Sequence, residues 1–199
     1  MRTRSLVALS LIILPGSLAA QGRWTLGLEG GFTRYSETAH DTSSPPVRLL
    51  PWQSGSYTLR LSRDGDRLGF GLGITAAAGQ LAGQIGDVVI LPGAGLLLLE
   101  AAPELRWRLA TSSTGALLLG HAGPVLDLWA PEGDDVRAAF GGSGGVTLAL
   151  PVTGRWSATI RADLTVTGSE VTRDEASAEI RRANTMRRGR LALGIIRTL

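Results

Sequence analysis

His121, Asp127 and Ser143 are the residue types of an acyl-transfer triad: a base, a carboxylate to orient it and a hydroxyl nucleophile. Such a triad is defined by geometry, and three scattered residues supply none, so no catalytic group is assigned. The charged residues form a larger constellation: Glu29, Arg60, Glu100, Glu104, Arg106, Arg108, His121, Asp127, Arg137, Arg161, Asp163 and Arg190. Enclosed together, they would form either an ion path or a mutually paired network. His40 and Asp41 have too few ligand types nearby for a metal site, and neither metal nor cofactor is expected. The run Gly141-Gly142-Ser143-Gly144-Gly145 lacks the lysine and the strand-to-helix setting of a phosphate cradle. Close backbone packing in a tight sheet accounts for it better. Arg173, Arg181, Arg182, Arg187 and Arg188 alternate with Glu170, Asp174, Glu175 and Glu179. Guanidinium forks of this kind suit phosphate groups.

The elements that must position these groups are strands. Trp156, Ala158, Ile160, Ala162, Leu164 and Val166 alternate with Ser157, Thr159, Arg161, Asp163, Thr165 and Thr167, which gives one apolar and one polar face. The same period predicts strands over Arg23–Tyr35, Gly55–Arg63, Arg67–Ala77, Leu97–Ala110, Ala116–Trp129, Val136–Leu150, Trp156–Gly168 and Arg187–Leu199. Asp64-Gly65-Asp66, Thr111–Gly115 and Pro151–Arg155 are short connections; Ser36–Ser54, Ala78–Gly95 and Ser169–Met186 are long, and Ala130–Asp135 is of modest length. Pro103 and Pro124 lie on strands that should pair. Proline cannot donate to a ladder, so a bulge or local break is expected there.

Met1–Ala20 has the form of a signal peptide, with Arg2 and Arg4 before the apolar run Leu6–Leu14 and small residues at Ser17, Ala19 and Ala20. Residues 21–199 then form one domain. The chain has no cysteine, which excludes a disulfide framework and thiolate metal sites. Its pI near 10.4 reflects basic residues that are all arginine. Two of these lie in the leader, which leaves 18 basic against 17 acidic residues and no electrostatic case for nucleic acid. After the leader no apolar run reaches the ~18 residues that would indicate a membrane helix.

Eight amphipathic strands with alternating short and long connections point to an all-β, antiparallel up-and-down transmembrane barrel with its apolar face toward lipid. Aromatics fall at both ends of the strands: Trp24, Phe70, Trp107 and Trp156 near the short turns, Phe32, Tyr57, Trp129 and Phe140 toward the long loops. Two such belts suit the two membrane interfaces. An eight-stranded interior is only wide enough for side chains to fill it, so the charges are expected to pair and plug it.

In these features the chain resembles the small outer-membrane β-barrel proteins, the OmpA/OmpX/OmpW-like group. The resemblance implies an outer-membrane location, folding by the barrel-assembly machinery, a monomer and a non-enzymatic envelope or surface-interaction role. The barrels of this group usually finish on an aromatic residue, whereas this chain ends on Leu199, and Arg197 interrupts the last apolar series. Arg181, Arg182, Arg187 and Arg188 are expected to meet lipopolysaccharide phosphates. Leu49-Leu50-Pro51-Trp52 and Val88-Val89-Ile90-Leu91 are unexpectedly apolar for loops and suggest, as alternatives, strand extension, a cap on the barrel mouth, contact with lipid, or OmpW-like binding or passage of small apolar molecules. A lipid A-modifying enzyme, like the deacylases on this fold, is the third reading.

Overall fold

The computed structural model describes residues 22–36, 39–41, 47–85, 87–90, 95–168, 180–182 and 185–199. The expected signal peptide lies outside them, as do the loop residues Glu170, Arg173, Asp174, Glu175 and Glu179. Eight long strands carry the barrel: β1 (Arg23–Tyr35), β3 (Arg48–Asp64), β4 (Leu68–Ile85), β6 (Gly95–Thr111), β7 (Leu117–Pro131), β8 (Arg137–Thr153), β9 (Trp156–Gly168) and β11 (Thr185–Thr198). Each pairs antiparallel with its neighbour, and β11 returns to β1 with Thr25 opposite Thr198 and Tyr35 opposite Arg188, so the sheet closes. Closure leaves no unpaired edge among these eight strands, as a strand-built membrane span requires.

Three short strands lie beyond the long-loop rim: β2 (Ala39–Asp41), β5 (Val88–Ile90) and β10 (Ile180–Arg182). Two stretches that read as loops are therefore strand. Arg48–Trp52 extends β3 and pairs with Gln80–Gln84 of β4, while Val88–Ile90 folds back on Gly83–Ile85. Their apolar residues are explained by this pairing: Leu50 and Ala82, opposite one another, are both buried. A register shift between Trp52 and Gly55 marks where β3 leaves the barrel wall.

The two-residue period decides the faces. Leu26, Leu28, Leu59, Leu61, Ile74, Leu105, Ile160, Leu193 and Ile195 are exposed on the outside, whereas Glu29, Arg60, Glu104, Arg106, His121, Asp127 and Arg161 are buried inside. A soluble barrel would have the opposite arrangement. Between β6 and β7 the register runs to Ala101 opposite Leu126 and resumes, unshifted, at Leu105 opposite Ala122. This is the local break expected from Pro103 and Pro124. The chains crowd there, since a Cβ on Gly123 would lie 2.0 Å from the Pro103 carbonyl oxygen.

Candidate functional site

Inward-facing residues of adjacent and non-adjacent strands meet in one ionic network. Glu29 of β1 accepts hydrogen bonds from Arg60 Nε of β3 at 3.0 Å and Arg190 Nη2 of β11 at 2.8 Å. Glu104 of β6 accepts from Arg60 Nη1 at 2.8 Å and Arg161 Nη2 of β9 at 2.7 Å, and Arg106 lies 3.7 Å away. Arg161 Nε also reaches both oxygens of Asp163, at 2.9 and 3.0 Å, and His121 Nε2 lies 2.6 Å from Asp163 Oδ1. Toward the long loops, Arg188 bonds Asp127 and Glu100. The Thr75 hydroxyl, bonded to Glu100 and accepting from Arg190 Nη1, ties this upper group to the lower one. Arginine suits these positions because its fork of donors serves two carboxylates at once.

The long side chains need room. Gly73 and Gly145 provide it, since a Cβ would fall 2.9 Å from Arg60 Nη1 and 2.8 Å from His121 Nε2 respectively. At Gly145 it would also fall 2.1 Å from the Ala162 carbonyl oxygen.

Four expectations are corrected. Arg188, expected among the lipopolysaccharide contacts, is inside the barrel, because it shares the face of Arg190 two residues on. Trp129, expected in the aromatic girdle, is only 1% exposed, because it shares the face of His121 and Asp127. Arg108 is exposed at the short-turn rim, where its Nη2 donates to the Gly65 carbonyl, since β6 runs past the end of the lumen. Arg137 is the first residue of β8, at the long-loop rim, where it pairs locally with Asp134 three residues before it. Arg187 is exposed; Arg181 and Arg182 pair through their backbones with β2, and their side chains lie outside the described residues, as do those of His40 and Asp41.

Of the other girdle residues, Phe32, Tyr57 and Phe140 are the most exposed aromatics, at 82, 73 and 72%, near the long-loop end. Trp24, Phe70 and Trp156 are exposed near the short turns, and Trp107 is half-buried there. His121 does not meet Asp127 or Ser143, because Asp163 takes the imidazole and Arg188 takes Asp127. No triad forms.

Sequence reasoning missed two features. Above the ionic network, Tyr35, Ala77, Leu96, Leu98, Trp129, Ala139 and Met186 form a buried apolar layer, in which the Tyr35 and Trp129 rings lie 5.8 Å apart. The face shared with known inward residues was the signal for it. The second is a cavity of about 1270 Å³ at the long-loop end, lined by Thr33, Tyr35, Leu50, Trp52, Asp163 and Arg190 among others. It lies where β1 and β3 stop pairing, above Thr33 opposite Ser54. Among the described residues no cluster of potential metal ligands occurs.

No family model and no curated protein matches the chain. Solved structures do. The surface protein NspA of Neisseria aligns over 88% of this chain and 97% of its own, with 13% identity and a TM-score of 0.57. OprG of Pseudomonas aeruginosa aligns over 90% and 97%, with 10% identity and a TM-score of 0.58. Ail of Yersinia pestis, solved with the heparin analogue sucrose octasulfate, aligns over 90% and 100%, with 12% identity and a TM-score of 0.52. The closed sheet, the outward apolar belt and these likenesses agree: the chain has the fold of the small eight-stranded outer-membrane barrels, with the outward face of a membrane-spanning sheet.

Proposed function

We propose that this barrel is a non-enzymatic envelope protein that works at its outer end, where the β1–β3 cavity receives a small apolar or amphipathic group presented from outside. The observation that carries this reading is a cavity of about 1270 Å³ at the long-loop end that reaches Asp163 and Arg190 of the ionic network. Pockets of this size, with apolar walls and a few convergent polar groups, suit small-molecule recognition. Here the walls are Leu50, Pro51 and Trp52, and the polar groups are Thr33, Asp163 and Arg190. Ail, the attachment invasion locus protein of Yersinia pestis, was solved in complex with a heparin analogue, and this supports a surface-contact role for a barrel of this fold.

The test uses the full barrel in vesicles with the apolar fluorophore N-phenyl-naphthylamine. Saturable binding that Leu50→Glu weakens is expected; Leu50 stands on the β3 extension, outside the barrel wall. Binding indifferent to that change would overturn the reading. The planar-bilayer record is expected to stay closed, and steady open levels would replace binding by conduction.

Lateral passage is the second reading, because the cavity lining includes Phe32 and Leu191, which are exposed on the lipid-facing side. Uptake of a labelled apolar compound into proteoliposomes, absent in empty vesicles, would favour it. Lipopolysaccharide contact stays with Arg181, Arg182 and Arg187, and unchanged lipid A binding after Arg→Ala at all three would remove it. Assembly by the barrel machinery and a monomeric state complete the proposal. Accumulation of the unfolded chain on depletion of that machinery and the mass of the detergent-solubilised protein test the two.

A further inference from the structure

The short-turn end of the barrel carries a charge pattern that neither the cavity nor the interior network uses. Arg63 of β3 stands directly opposite Trp24 of β1, its guanidinium 5.7 Å from the indole centroid. Arg197 of β11 stands directly opposite Trp156 of β9, its guanidinium 5.6 Å from that ring. Phe70 of β4 is opposite Arg63 and meets Trp24 edge-on, with centroids 5.7 Å apart. β4, β3, β1, β11 and β9 are consecutive in the sheet, so the Phe70–Arg63–Trp24 row and the Arg197–Trp156 pair make one stepped row of rings and cations across five strands, with Arg197 opposite Leu26, two residues further along β1 than Trp24. Just beyond it, Arg23, Gly154, Arg155, Thr198 and Leu199 line a depression of about 300 Å³.

The surrounding side-chain charge is predominantly positive. Arg23, Arg67, Arg108, Arg155 and Arg197 are exposed at this end. Of the described acidic residues there, Asp64 is turned to Arg106, which leaves Asp66 in the turn. Indole rings locate the bilayer interface, and a guanidinium stacked on such a ring is held at headgroup depth. Short turns of such barrels face the periplasm, so this row borders the periplasm-facing leaflet.

We infer that the row and its depression form a seat for anionic glycerophospholipid, with Arg23 and Arg155 bracketing the phosphodiester while the glycerol and acyl chains lie against Trp24 and Trp156. Charge complementarity favours this occupant over a neutral lipid, and continuity with the apolar belt favours it over a soluble polyanion. The inference rests on membrane insertion alone and is independent of the outer cavity. Arg197, which breaks the last apolar series, thereby acquires a role.

The experiment measures association of spin-labelled phosphatidylglycerol and spin-labelled phosphatidylcholine with the reconstituted barrel by electron paramagnetic resonance. Wild type is expected to prefer phosphatidylglycerol by about threefold, a preference that shrinks in high salt. Replacing Arg23, Arg63, Arg155 and Arg197 by Gln should abolish the preference, whereas Arg137→Gln, at the opposite end, should leave it intact. If the fourfold variant does not fold, as judged by loss of the heat-dependent mobility shift, Arg23→Gln with Arg155→Gln touches only exposed side chains and should at least halve the preference. Equal association of both lipids with wild type, an unchanged preference in the variants, or loss only in the opposite-end control would overturn the inference.

Discussion

Arg188 and Asp127 face each other across the lumen, Nη1 to Oδ2 at 2.6 Å and Nη2 to Oδ1 at 3.0 Å, although their strands β11 and β7 do not pair. A two-bond link between non-adjacent walls holds the barrel at a set width near its outer end. Arg188→Gln would leave two carboxylates, Asp127 and Glu100, buried without their cation. A loss of about 3–5 kcal/mol is expected, read as a lower urea midpoint of the refolded barrel. Adding Asp127→Asn should restore part of it, and no recovery would mean that the two residues are not coupled.

Glu104 occupies the equivalent place in the lower network, between Arg60 and Arg161. Glu104→Gln keeps the shape and removes the charge, so about 3–5 kcal/mol is again expected to be lost. The temperature of the heat-dependent mobility shift should fall. An unchanged temperature would mean that water screens these pairs.

Trp129 is enclosed by the apolar layer, whereas Trp24 and Trp156 face lipid. In variants retaining one tryptophan each, brominated lipid should quench Trp24 and Trp156 strongly and Trp129 hardly at all. Equal quenching of the three would return Trp129 to the girdle.

Glycines of this barrel separate into two groups. Alanine at Gly123 or Gly145 would put a Cβ 2.0 or 2.1 Å from a carbonyl oxygen of the adjoining strand, and a loss of about 1–3 kcal/mol or more is expected. A Cβ on Gly189 would meet nothing within 4 Å beyond its chain neighbours, so alanine there should change stability by less than about 0.5 kcal/mol. Urea midpoints compare the three variants directly, and similar values would contradict the crowding.

Much of the fold was legible because a strand has a period of two and a membrane wall rewards strict alternation. The stretch Trp156–Gly168 is a strand with the bounds read from its pattern, and Arg161 and Asp163 face inward from it. The same rule, carried two residues further, puts Arg188 beside Arg190 and Trp129 beside Asp127. For both, the face along the strand outweighs nearness to a loop. The rule also places Arg108 with Arg106, yet Arg108 is exposed, because parity does not say where along a strand the lumen ends.

The number of barrel strands, the inside and outside of each, and the proline break between β6 and β7 were thus determined by the order of residues alone, because each depends on neighbours along one chain or across one turn. Tertiary structure decided the partners. That Glu29 joins Arg60 and Arg190, that His121 goes to Asp163 and leaves Asp127 to Arg188, and that β1 and β3 part to form a cavity all depend on tilt and stagger around the closed sheet. Closure brings together side chains 31 to 161 positions apart in the chain, a relation that no local period encodes.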